Sequence, residues 1–250
     1  MIDYQLCDQV GQITLDRSSA LNAFTAEGWD ELIDALERAE KEARVAVIRG
    51  RGNVFCVGED IEWLASLDDP AAIAEFAETV YAGFRAIETA RVPVVAAVDG
   101  PAYGVGVDLV GAAHLAVATS EARFALPETR LGAYPGYGLE RYPFQCTRKQ
   151  FMELALTGEP IDATTALEWG LLNRVVDPDA LDAAVDDLVG SLLKSPRRPL
   201  AVVTGLSGRT LPNPGEHERM MGLFTSLFLA PEFQEGVEAF REKRDPEWQR

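Results

Sequence analysis

Ten residues, Arg91–Gly100 (RVPVVAAVDG), constrain the fold more than any other stretch: a compact, β-branched apolar run that ends in a turn. A strand of this composition has no polar face to offer water. It predicts a sheet buried on both sides, with helices outside. The flanking pattern agrees. Residues 11–16 (GQITLD) and 45–50 (VAVIRG) read as strands around a helix from about Thr25, where Trp29, Leu32, Ile33 and Leu36 recur at helical spacing. A second helix starts in DDPAAIAEF, with an Asp before a first-turn Pro70, and leads into the apolar strand.

Beyond that strand, VDLVGAAHLAVATS divides into a closely packed helix and a short strand, LAVAT, and ARFALPE is a further strand. From Thr147 the pattern turns mainly helical. TRKQFMELALTG is bounded by Thr147 and Gly158, DATTALEWG ends on Gly170, and LNRVV offers another strand. After Ser195, prolines at 196, 199, 212, 214 and 231 separate shorter helices such as HERMMGLFTSLF. The expected organisation is an α/β core over 1–194 and a helical region over 195–250, with no visible repeat of about 20–50 residues.

Composition excludes several classes. No stretch approaches the roughly 20 uninterrupted apolar residues of a membrane span. The N-terminal residues carry neither a signal nor a transit pattern, so a cytoplasmic location without membrane partners is expected. A formal net charge of −17 over 250 residues repels nucleic acid, and any anionic ligand must find a locally neutral or basic site. Cys7, Cys56 and Cys146 are odd in number and lack CxxC spacing; they are expected to be reduced, semi-buried thiols. His114 and His217 are far apart, with no HExxH or CxH spacing, so no metal site is expected. GxSxG and Walker loops are absent.

Three segments carry chemistry. In NVFCVGEDIEWL a strand end feeds a helix start, which leaves backbone N–H groups free to bind a developing anion; the segment also reads as an ordinary strand-to-helix turn. In DGPAYGVGVDL, Gly104 and Gly106 allow close backbone approach, but Leu109 stands where a dinucleotide fingerprint needs its third glycine. Within it, Asp108 lies among small apolar residues, a costly place for a charge unless it is paired or functional. In FALPETRLGAYPGYG, Glu128 follows Pro127 at a strand end and reads by itself as a surface carboxylate.

In this order and spacing, ITLDR…LNAF, FCVGEDI, PVVAAVDGPAYGVGVDL, FALPETRLGAYPG, LTGEPIDATTALEWGLLNRVV and EFQEGVEAFREKRDPEW resemble the enoyl-CoA hydratase/isomerase (crotonase) superfamily over most of the chain. The resemblance implies a spiral α/β core of repeated strand-strand-helix units, a C-terminal helical region, and homotrimers or dimers of trimers. It implies an oxyanion hole from the backbone N–H groups of Glu59 and Val105, with Asp108 and Glu128 as catalytic carboxylates, Asp108 activating water and Glu128 serving the Cα proton. An acyl-CoA thioester would lie along Arg17, Leu21, Ala23, Val57, Gly58, Asp60, Ile61, Gly104 and Tyr137, without further cofactor.

This sequence departs from the pattern in several places. Asp108 is one methylene shorter than the usual glutamate, and Val105 stands where glycine is common. Glu59 sets a carboxylate beside an anion site, tolerable only if its side chain points away. Tyr137 and Leu139 replace glycines and are expected to reshape the acyl pocket. Ala20 and Glu62 occupy positions of phosphate-gripping basic residues; Arg17, Lys243 or Arg244 are the substitutes. The implied reaction is hydration of a 2-enoyl-CoA. The alternatives are double-bond isomerisation, decarboxylation or thioester hydrolysis on the same fold, or, from another class, non-catalytic acyl-CoA binding. The apolar cluster Met220, Met221, Leu223, Phe224, Leu227 and Phe228 suggests a subunit contact.

Overall fold

The computed structural model describes residues 1–142, 145–207, 221–222 and 225–247. The main sheet begins with an antiparallel hairpin, β1 (Ile2–Cys7) and β2 (Val10–Leu15). From β2 it continues in parallel through β3 (Val45–Gly50), β4 (Val94–Val98), β6 (Leu115–Thr119) and β9 (Arg174–Val176). β1 is absent from the sequence reading, although Ile2, Tyr4 and Leu6 alternate with Asp3 and Gln5 as the residues of an edge strand do.

The parallel strands are buried on both faces, as their composition predicts. Ala46 and Ile48 of β3 and Val94, Ala96 and Val98 of β4 join the large core under α1 (Ala26–Glu42) and α3 (Pro70–Glu88). Val45, Val47, Val95, Ala97 and Val117 turn the other way, onto Leu181, Val185 and Val189 of α8 (Leu181–Leu193). Alternation of side chains along a strand produces this division.

A second, smaller sheet holds β5 (Pro101–Tyr103), β7 (Arg123–Ala125) and β8 (Ile161–Asp162). The ARFALPE strand therefore belongs to this sheet and not to the main one. An isolated parallel bridge joins Cys56 to Ala102, and Ala102 in turn pairs with Phe124. Each of β3, β4 and β6 is thus followed by a short second-layer segment and then by a turn into helical structure. The units repeat in the backbone although the sequence shows no repeat, because the connections differ in length.

Capping follows the sequence. Asp69 accepts from the Ala71 N–H ahead of Pro70, Thr147 and Gln150 form a reciprocal cap on α6 (Arg148–Thr157), and Gly170 closes α7 (Ala163–Trp169). In the C-terminal part, helices span Arg197–Ser207 and Pro231–Glu242, the latter packing on the 3₁₀ turn Pro127–Leu131. Of the expected apolar cluster, Met221 and Phe228 are buried and Leu227 is half-buried; Met220, Leu223 and Phe224 lie outside the described residues, as does half of HERMMGLFTSLF. Cys7 is exposed and Cys56 fully buried, so only Cys146 is the half-buried thiol expected of all three. Among the described residues no helix is long and apolar enough to cross a membrane.

Candidate active site

The second-layer register brings three turns together. Cys56, Ala102 and Phe124 are neighbours across that layer, and the chain leaves them through Gly58–Asp60, Gly104–Val105 and Pro127–Glu128. The turns converge on a cavity of about 780 Å³.

The first turn is clamped by Phe24, whose N–H donates to the Gly58 carbonyl (2.9 Å) and whose carbonyl accepts from the Asp60 N–H (2.7 Å). Between these bonds the Glu59 N–H has no acceptor among the described residues. The expected helix after it, α2 (Ile61–Leu64), is a single turn capped by Asp60, which accepts from Trp63 N–H at 2.9 Å. FCV forms a single isolated bridge, at Cys56, and not a continuous strand.

In the second turn Gly104 has φ +52, and a Cβ there would lie 3.1 Å from Glu128 Oε1. A Cβ on Gly106 would meet the Cys56 carbonyl at 2.2 Å, so α4 (Val105–Ala112) docks against that backbone only because position 106 is glycine. Val105 opens the helix, and its N–H is an orphan with no acceptor among the described residues. The two turns face each other: a Cβ on Gly58 would sit 4.0 Å from the Val105 nitrogen.

Three carboxyls line this cavity, Asp108 buried and Glu59 and Glu128 half-buried, and each has one buried oxygen without a partner among the described residues: Glu59 Oε2, Asp108 Oδ1 and Glu128 Oε2. Burial pushes Glu128 up to about 7. Burial, then the nearby Glu128 charge, raises Asp108 well above the usual carboxylate range, against a hydrogen-bonding contact with the Tyr142 hydroxyl. That hydroxyl donates to the Val107 carbonyl at 2.8 Å. Glu59 does not escape the site: its Oε1 accepts the Trp29 indole N–H at 2.9 Å, and burial pushes it up to about 8. A neutral acid, unlike a carboxylate, is tolerable beside an anion site.

Of the residues expected from sequence, Asp108, Glu128, Glu59, Val105, Leu21, Ala23, Val57, Gly58, Asp60, Ile61, Gly104 and Tyr137 all line the cavity. Arg17 does not. Its guanidinium holds the wall from behind, donating to the Ala23 carbonyl (3.0 Å) and Asp60 Oδ2 (2.6 Å). Asn22, fully buried at φ +59, ties the same loop to the carbonyls of Arg51, Val54 and Phe55. Leu139 is exposed and lies off the cavity. Glu62 pairs with Arg241 (2.6 Å) and Arg244 with Glu235 (2.7 Å).

Sequence reasoning missed the opposite wall. Tyr81 and Phe84 of α3, Tyr134, and Phe233 and Phe240 of the C-terminal helix all face the cavity. It also missed the support behind Tyr137, whose hydroxyl donates to Glu88 (2.9 Å), a carboxylate itself bound by Arg141 Nε at 2.6 Å. These are contacts between distant helices, and no local spacing announces them. Among the described residues no group of three acidic, His or Cys side chains is placed to hold a metal.

Residues 6–250 match the family profile described as enoyl-CoA hydratase/isomerase. The chain belongs to this family. A carnitinyl-CoA dehydratase of Citrobacter koseri is 35% identical to this enoyl-CoA hydratase/isomerase family member, covering 95% of this chain and 94% of its own. A solved structure of a putative enoyl-CoA hydratase from Mycobacterium avium paratuberculosis K-10 superposes with a TM-score of 0.90, at 31% identity and full coverage of both chains. A methylmalonyl-CoA decarboxylase in complex with 2-nitronate-propionyl-CoA gives 0.84 at 26% identity, covering 98% of this chain and 96% of its own. The protein is thus an acyl-CoA enzyme of the crotonase type, in a family whose members carry out different reactions on one fold.

Proposed function

We propose that the protein is a 2-enoyl-CoA hydratase, adding water across an α,β-unsaturated CoA thioester without further cofactor. The observation that carries this reading is the pair of carboxyls, buried Asp108 and half-buried Glu128, in one cavity with two backbone N–H groups that have no acceptor among the described residues. The Glu59 and Val105 N–H groups would hold the thioester oxygen, on which negative charge builds as water attacks Cβ; fixed donors in a dry site stabilise such an enolate by several kcal/mol. Glu128, whose Oε1 lies beside the Gly104–Val105 turn, is then nearest Cα and delivers its proton there. Asp108 takes the proton of the attacking water.

Turnover on this scheme leaves the pair's proton on Asp108. Burial and the Glu128 charge favour that location, so returning the proton to Glu128 is an uphill step that each turnover must complete. The two groups titrate as a unit. The test is Asp108→Asn and Glu128→Gln assayed for hydration of crotonyl-CoA and for exchange of the Cα proton of butyryl-CoA in deuterated water. Asp108→Asn is expected to lose hydration by about a hundredfold and retain exchange, whereas Glu128→Gln loses both. Normal hydration by Asp108→Asn would remove its water-activating role.

The shortness of Asp108 favours a second reading, double-bond isomerisation by Glu128 alone, since misplacing a catalytic group by roughly an ångström can cost about a hundredfold. Assembly as trimers or paired trimers is part of this reading, but Met221 and Phe228 do not carry it, since they are covered within this chain, Met221 by Ala77 and Tyr81 and Phe228 by Phe233. Sedimentation across micromolar concentrations tests that, and a monomer throughout would refute it.

A further inference from the structure

The two N–H donors of the cavity are fixed by different means. Val105 opens α4, which Gly106 seats against the Cys56 carbonyl, so its donor is carried by a helix. Glu59 has no such support: no strand covers residues 55–60, and α2 after it is a single turn. Its peptide is held by an isolated parallel bridge to Phe24. In that bridge Phe24 bonds Gly58 on one side and Asp60 on the other, so the N–H of Glu59 itself points away from Phe24.

Arg17 closes this bridge from behind. One guanidinium nitrogen donates to the Ala23 carbonyl (3.0 Å), just before Phe24, and another to Asp60 Oδ2 (2.6 Å), just after Glu59. The planar fork thus spans both chains of the bridge, which the point charge of a lysine does not reproduce. The clip is anchored at each end. The Arg17 N–H donates to Asn22 Oδ1 (3.1 Å), and the Asn22 amide reaches the Val54 carbonyl at 2.8 Å. Asp60 Oδ1 accepts from the Trp63 N–H (2.9 Å), so both oxygens of Asp60 are committed. Arg17 does not line the cavity, and its effect on a reacting oxygen therefore passes through the bridge.

We propose that Arg17 is a positioning residue: by clipping Ala23 to Asp60 it holds the Glu59 N–H in the orientation that receives the thioester oxygen, and it does so more for the enolate than for the ground-state thioester. This rests on reading the two N–H groups as an oxyanion hole for acyl-CoA. A neutral carbonyl loses little when one donor turns aside. A charged oxygen draws a shorter and stronger bond and loses more.

The experiment pairs acetoacetyl-CoA, which gives up a Cα proton to the medium and becomes an enolate with its own near-ultraviolet band, with butyryl-CoA, which stays a ground-state thioester. Wild type, Arg17→Ala, Asp60→Asn and the double variant are compared. The band gives the pH at which half of the bound acetoacetyl-CoA is enolate; calorimetry gives the affinity for butyryl-CoA. Asp60→Asn keeps an acceptor for Trp63 and so the cap of α2, but turns an N–H₂ toward Arg17. Each single variant is expected to raise the half-ionisation pH by about one unit, a tenfold loss of enolate stabilisation, and to lose less than this in butyryl-CoA affinity. The double variant should be no worse than the singles, because they break one contact. Ionisation at the wild-type pH in both single variants, an equal loss of butyryl-CoA affinity, or additive shifts would overturn the inference and leave the oxyanion hole standing. A wild type that binds butyryl-CoA without promoting ionisation of acetoacetyl-CoA would overturn the oxyanion reading and the inference together.

Discussion

The central strands and the turns that follow them are built on opposite rules. Every residue of Val45–Ile48 and Val94–Val98 is apolar and buried, and each strand has a parallel partner on both sides. A few residues later the chain holds three carboxyls, each with one buried oxygen unpartnered among the described residues, and two N–H groups without acceptors there. The strands gain stability from burial; the turns give some of it up. Such polar groups persist only because the sheet and its two cores fix the backbone around them.

Removing mass from the strands tests the first half of that contrast and has the largest expected effect. Ile48→Ala should cost about 2–5 kcal/mol in denaturant unfolding, with activity per folded molecule retained. A cost under about 1 kcal/mol would mean that the sheet is not the stabilising element. Next, Glu128→Gln should lower turnover by at least about a hundredfold with the fold intact; near-wild-type turnover would remove Glu128 from the mechanism.

The same contrast predicts a pH dependence of opposite sign to that of ordinary surface acids. A carboxyl whose folded pKa is raised keeps its proton where the unfolded chain loses it, so stability falls as pH rises from the unfolded value to the folded one. For Glu59 that window runs from 4.5 to about 8, and for Glu128 from 4.5 to about 7. Thermal midpoints of Glu59→Gln and Glu128→Gln should therefore rise relative to wild type across these windows. Parallel curves would show that the carboxyls are not held neutral. The smallest effect belongs to Arg17, which touches the cavity wall but not the cavity: Arg17→Ala should weaken CoA binding by roughly 1 kcal/mol, read by calorimetry, and a loss above about tenfold would place it on the phosphates themselves.

The strands were legible because a sheet buried on both faces needs uninterrupted apolar residues, and Asp108 was legible because it interrupts such a run. Thr147, Gly158, Asp69 and Gly170 were legible as caps, whose rules are local. The repeat was not, since α3 is inserted between its first two units and the shared feature is backbone geometry. Nor was the Glu59 side chain. Sequence required it to avoid the anion site, whereas Trp29 and burial let it stay there as a neutral acid, through a contact thirty residues apart. Tyr81, Phe84 and the Glu88–Arg141 pair were hidden for the same reason.

The central claim is that this site adds water. The direct measurement is incubation of a panel of 2-enoyl-CoA thioesters with the protein in deuterated water, with products read by mass spectrometry. The expected result is gain of one water together with a single non-exchangeable deuterium at Cα, lost in Asp108→Asn. Products of unchanged composition, with hydrogen only shifted or exchanged, would contradict it and leave isomerisation by Glu128.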